Sequence, residues 1–218
     1  MKKVLDFTSV VGIVLVIGIL SIIFSNQKMP SALILPVPFT AQAPTNLWDR
    51  NEDCEEASIT MATAFLNGQT QDKISASDAL KAINQLKNWE EVNIGYNANT
   101  GADATTAMAK GAFGLKVKQI KDYTEEDLKQ ALNQHQVILL PINAKHLGNP
   151  AYHTNGPLYH MIVVRGYRDD TFIINDPGTN SGDGNEYTFA TLKNASADWD
   201  QTAKAMDPTR KIALILSK

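Results

Sequence analysis

The chain has 218 residues, 44% of them hydrophobic and 20% charged, with a formal net charge of -3. That composition is ordinary for a globular protein and offers no basic stretch with interleaved aromatics, which excludes a nucleic-acid binder. A single cysteine excludes an internal disulfide and a cysteine-built zinc site.

Met1, Lys2 and Lys3 open the chain with positive charge, and Phe7–Phe24 carries no charged residue. The length is close to the minimum of about 17 residues that spans a bilayer core. Residues 1–28 therefore read as an N-terminal hydrophobic helix, either a signal anchor or a cleaved signal peptide. Either reading keeps Lys2 and Lys3 in the cytoplasm and puts the rest outside it: single-pass in the cell membrane, or secreted. Residues 29–44, with Pro36, Pro38 and Pro44, read as an extended linker and entry segment. Residues 45–218 are long enough for one domain.

Trp48–Asp53 is a polar loop. The spacing of Ala57, Met61, Ala64 and Phe65 then predicts a helix over Cys54–Leu66, stopped by Gly68. Asp53 is placed as its N-cap, with Glu56 at capping-box spacing. Further helices are expected over Ser75–Trp89, Ala102–Phe113 and from Thr124 to about Gln134. Strands are expected at Leu115–Ile120, Val137–Ile142, Tyr159–Tyr167, Phe172–Asn175, Glu186–Phe189 and Ile212–Leu216. Asn143–Leu158 reads as a polar loop and 176–185 as a Gly-rich one. Helices precede strands, which predicts an α+β class with helices packed on a mainly antiparallel sheet.

Four residues carry candidate chemistry. A lone cysteine is either a small buried hydrophobe or a nucleophile. Cys54 falls in the first turn of its helix, where backbone N–H groups favour a thiolate; Glu55 and Glu56 would oppose this if they pointed at the sulfur. Among His135, His146, His153 and His160, only His160 opens an apolar strand, where it reads either as a core histidine or as a base whose ring packing fixes. Asp176 ends the next strand, so a short turn brings it beside His160, where a carboxylate orients an imidazole. Gln42 reads either as a surface residue or as one whose amide N–H can donate to an oxyanion. The loop after Asp176 is rich in oxygen ligands but lacks EF-hand spacing, so a calcium site competes there with a simple turn. No cofactor or metal is expected.

The segments Val37–Pro44, Trp48, Asp53–Ser58, Tyr159–Tyr167 and Asn175–Gly178 resemble the papain-like bacterial cysteine peptidases related to domains that cleave double-glycine leader peptides. The resemblance implies a papain-like α+β fold, with Cys54 as nucleophile, His160 as base, Asp176 as the orienting residue and Gln42 as oxyanion donor. Peptides or proteins are the implied substrates. Glu55 departs from the pattern, in which a small residue often follows the nucleophile. Three functions use these residues: a thiol peptidase, an amidase or transglutaminase-like acyl transfer, and a non-catalytic surface binding module.

Overall fold

The computed structural model describes residues 29–47, 52–152 and 156–218; the expected N-terminal hydrophobic helix lies outside them. No helix among the described residues is long and apolar enough to cross a membrane. Ser31–Lys218 forms one packed unit.

In chain order the elements are β1 (Ala32–Ile34), α1 (Cys54–Leu66), α2 (Ala76–Asn93), α3 (Ala102–Phe113), β2 (Lys116–Lys121), α4 (Glu125–Asn133) and β3 (Val137–Ile142). A short 3-10 turn (Ala144–His146) follows, then β4 (His160–Arg168), β5 (Thr171–Asn175), β6 (Asp183–Thr188), α5 (Phe189–Ala195), β7 (Asp198–Asp200), β8 (Ala205–Asp207) and β9 (Ile212–Ser217). The sheet runs β2-β9-β3-β4-β5-β6, antiparallel at every pairing, and β1 adds to β4. The α+β class expected from the sequence is what folds.

The core strands β3, β4 and β9 are apolar on both faces and almost wholly buried. Pro141, in central strand β3, pairs with Met161, but β9 covers only Val137–Leu139. The missing N–H of Pro141 thus falls where no neighbour needs it. Beside the sheet lies α1, buried on nearly every side from Cys54 to Ala64. A helix buried all round must be apolar or satisfy its polar groups internally. Here Glu55, Glu56, Ser58 and Thr60 are all buried with it.

The local chemistry explains most helix starts. Ser75 caps α2 by accepting from the Asp78 N–H, and Thr124 forms a reciprocal capping box with Asp127 on α4. Asp53 precedes α1 but makes no side-chain cap, which corrects the expected box with Glu56. Its Oδ1 instead takes Lys87 Nζ from α2 at 2.7 Å, tying the two helices together where one partner is buried. α3 is capped from far along the chain: the Ala102 N–H donates to Asp198 Oδ1 at 2.8 Å.

Two parts of the chain differ from the sequence reading. The 29–44 segment packs into the domain: Leu35, Val37 and Phe39 are buried in the main core and β1 pairs with the far end of β4. Because β5 holds the other edge of β4, β1 takes the length that β3 leaves uncovered. Gly166 is required there, since a Cβ would lie 2.6 Å from the Leu33 carbonyl oxygen. The short α5 and the β7–β8 hairpin, unseen in the sequence, complete the end of the sheet.

Candidate active site

The start of α1 meets the start of β4. Ser58 Oγ donates to the Met161 carbonyl at 3.3 Å, and the Met161 backbone acts to lower the Cys54 thiol pKa. Met161 follows His160 on β4, so α1 packs beside the start of that strand.

Cys54 is only 4% exposed, and its thiol donates to Glu55 Oε2 at 2.8 Å. The expected acidification by the helix N-terminus is overturned. Burial pushes the thiol pKa well above its usual value; the Glu55 charge and hydrogen bond, then the Glu56 charge, push the same way, and the Met161 backbone only partly offsets them. Adjacent helical residues diverge, but a glutamate is long enough to fold back onto its neighbour. Glu55 itself is pushed up to about 8, first by burial and further by Glu90, despite lowering by the thiol and by the Thr100 N–H. Burial also raises Glu56 and Glu90, each within reach of the other carboxyls.

His160 is 1% exposed and its Nε2 lies 2.7 Å from Asp176 Oδ1. The strand register explains the pairing: Asn175, last of β5, lies opposite Val163, so Asp176 follows at the end of the sheet where β4 begins. Asp176 is fully buried and accepts three more hydrogen bonds, from the Gly178 N–H at 2.9 Å, Tyr152 OH at 2.7 Å and Asn149 Nδ2 at 3.2 Å. Burial alone would raise its pKa; the His160 charge and hydrogen bond, with the Tyr152 and Gly178 donors, outweigh that and hold it below the usual carboxylate value. The Tyr152 ring meets the imidazole edge-on, centroids 6.1 Å apart. Gly178 lies over the imidazole: a Cβ there would stand 2.9 Å from His160 Cε1.

Gln42 is buried, and its backbone N–H donates to the Pro177 carbonyl at 2.9 Å. Asn175 secures the same junction, giving Nδ2 to the Val37 carbonyl at 3.0 Å and accepting Arg165 Nε at 2.8 Å. The leading segment is thus stitched to the loop that carries Asp176. The structure brings His160 and Asp176 into contact and sets Gln42 against the residue after Asp176. His135 and His146 are exposed, while Trp48 and His153 lie outside the described residues. Asp183, counted among the loop's oxygen ligands, begins β6 and pairs with Arg165 at 3.1 Å.

The profile of the Peptidase_C39 like family matches residues 34–206. The chain belongs to that family. It is accordingly a cysteine peptidase, and the resemblance carried by the Cys54, His160 and Asp176 segments is borne out. Among solved structures, a protein from Bacillus anthracis described as a C39-like peptidase is 18% identical, with a TM-score of 0.54 over 86% of this chain and 98% of that one. This likeness shows a shared fold. A cysteine protease from Carica candamarcensis, solved with E-64, is 14% identical with a TM-score of 0.42 over 87% of this chain and 99% of that one. No curated protein matches.

Sequence reasoning missed Tyr152, Asn149 and Asn175, which hold this C39-like site together. The first two sit in a loop whose sequence shows only polarity. Asn175 had a signal: two adjacent polar residues, Asn175 and Asp176, close an otherwise apolar strand.

Proposed function

We propose that this C39-like peptidase cleaves peptide bonds with Cys54 as nucleophile, His160 as base, Asp176 as the orienting carboxylate and Gln42 in the oxyanion hole. The observation that carries this is the buried His160–Asp176 pair, 2.7 Å apart, at the strand end against which the Cys54 helix packs through the Ser58–Met161 hydrogen bond. Because Nε2 is taken by Asp176, Nδ1 is the nitrogen left to receive the thiol proton. The sulfur then bonds to the carbonyl carbon while the carbonyl oxygen gains charge, which the Gln42 amide and a backbone N–H balance. Nδ1 gives its proton to the departing amine as the C–N bond breaks. Water attacks the resulting thioester by the same route in reverse and frees the acid.

The test is cleavage of a mixed peptide library, read by mass spectrometry. Cys54→Ala and His160→Ala should each remove cleavage, with both chains still folded. Persistent cleavage in either would overturn the assignment. One observation favours a second reading, a non-catalytic binding module: the Cys54 thiol is buried with a raised pKa. In that case the unsubstituted chain cleaves nothing and a chloromethyl ketone peptide fails to label Cys54.

We also propose that the peptidase works outside the cytoplasm, held by residues 1–28. Support comes from Lys2 and Lys3 ahead of the uncharged Phe7–Phe24 run. Protease accessibility of the folded domain in intact cells tests this; protection in intact cells with digestion after lysis would refute it.

A further inference from the structure

Glu55 touches the nucleophile, yet no step above employs it. It is 1% exposed, and both its oxygens are engaged: Oε2 accepts from Cys54 Sγ at 2.8 Å and Oε1 from the Thr100 N–H at 2.5 Å. Thr100 is itself fixed. Its carbonyl accepts from Tyr159 OH at 2.8 Å and Thr105 Oγ1 at 2.7 Å, and its hydroxyl donates to Glu90 Oε1 at 2.7 Å. Two residues on, Asp198 caps α3 while holding Arg210 at 2.9 Å. The carboxyl is therefore aimed at the sulfur by a rigid mount built from α1, α2, the α3 start and the residue before β4.

The groups facing it are mostly acids. Cys54 and Glu56 come from α1, Glu90 from α2, Tyr96 from the turn beyond α2 and Tyr159 from the approach to β4, with Asp53 acting in turn on Glu56 and Glu90 and Asp198 on Tyr159. Among the described residues, Lys87 is paired with Asp53 and Arg210 with Asp198. A thiolate and a carboxylate 2.8 Å apart in such surroundings repel strongly. One of the two keeps a proton.

We propose that Glu55 is a catalytic residue that works in its acid form, its carboxyl O–H donating to the Cys54 sulfur once the thiol proton has passed to His160 Nδ1. The carboxyl proton stays on Glu55 throughout attack and acyl-enzyme formation, so no extra donor or acceptor is needed. When Glu55 is ionised, it takes up the thiol S–H as an acceptor and holds the nucleophile neutral. The assignment rests on the peptidase reading. Since the Glu55 pKa is pushed to about 8, the acid form prevails at neutral pH and is lost above it.

The chain has one cysteine, so alkylation by iodoacetamide reports Cys54 alone. The experiment is the rate of that alkylation against pH for the unsubstituted chain, Glu55→Gln and His160→Ala, alongside library cleavage. Glu55→Gln supplies an N–H donor that cannot ionise, so the thiol midpoint should fall by about one unit, with the roughly tenfold gain in rate above pH 8 and little change at neutral pH, where Glu55 already keeps its proton. A Glu55→Gln curve that superposes on the unsubstituted one, or moves to higher pH, overturns the proposal; the peptidase reading then still stands if cleavage depends on His160. Cleavage that ignores His160 sinks the peptidase reading, and the Glu55 assignment falls with it. If Glu55→Gln does not fold, carboxyl 13C NMR of the unsubstituted chain decides. A glutamate titrating near pH 8 whose midpoint moves on alkylation of Cys54 supports the assignment, and the absence of such a signal refutes it.

Discussion

The two halves of the site handle buried carboxyls in opposite ways. At the sheet end, Asp176 accepts four hydrogen bonds and is kept as an anion although fully buried. At the helix end, Glu55, Glu56 and Glu90 are buried together and pushed toward their acid forms. Burial is common to both. What differs is the count of donors: four aimed at one carboxylate on one side, and three carboxyls sharing few donors on the other. Donor supply decides which form a buried carboxyl takes.

Breaking the anionic half should have the largest effect. Asp176→Ala leaves His160, Tyr152, Asn149 and the Gly178 N–H without their shared acceptor. Removing one partner of a buried charged pair costs about 3–5 kcal/mol, measurable as a lower denaturation midpoint. Asp176→Asn keeps the shape better but cannot hold the imidazolium, and library cleavage should fall by about 10²-fold or more. A chain as stable and as active as the original would show that the four bonds to Asp176 carry no function.

Next comes the alkaline side of the comparison. Glu55 has a folded pKa raised above its unfolded value. The stability it contributes is complete below the unfolded value, near 4.5, and is lost as pH rises to about 8. The slope is at most about 1.4 kcal/mol per pH unit for one such group. Glu56 and Glu90 act in the same direction. Asp176 has the opposite sign: its depressed pKa gives stability that is present above the unfolded value and lost as pH falls through the folded one. Thermal melts should therefore decline on both flanks, and Glu56→Gln should flatten the alkaline flank alone.

Gly178→Ala sharpens the comparison on the sheet side without touching a charge. The new methyl meets the His160 ring and Tyr152 OH at about 3 Å, so the imidazole must shift. Cleavage should drop about tenfold while the melting temperature moves by only a few degrees, an overpacking cost of about 1–3 kcal/mol. The smallest effect belongs to Asn180→Ala. Its bond to Asn46 Oδ1 at 2.6 Å joins the two loops at an exposed position. Denaturant unfolding should change by no more than about 0.5 kcal/mol.

Much of this was legible in the sequence where the cause is local. The α1 and α3 boundaries match the periodic pattern, and β3 follows its apolar run. The His160–Asp176 pairing could be foreseen because a short turn between antiparallel strands fixes which ends meet. The failures have tertiary causes. Asp53 has the right residue type for a cap but is drawn to Lys87 on another helix. The Pro-rich leading segment looks like a tether, yet Leu35, Val37 and Phe39 find a core to enter. α5 is too short for a period to show, and its start depends on Thr188 accepting from the Thr191 N–H.

The sequence by itself determined the α+β class, the helix that begins at Cys54 and the meeting of His160 with Asp176, because periodicity, turn length and residue type act over a few neighbouring residues. Only the tertiary structure decided the ionisation of the site. The electrostatic surroundings of Cys54 and Asp176 are assembled from Thr100, Glu90, Asn149 and Tyr152, residues distant along the chain, and a buried charge answers to the donors that folding places around it.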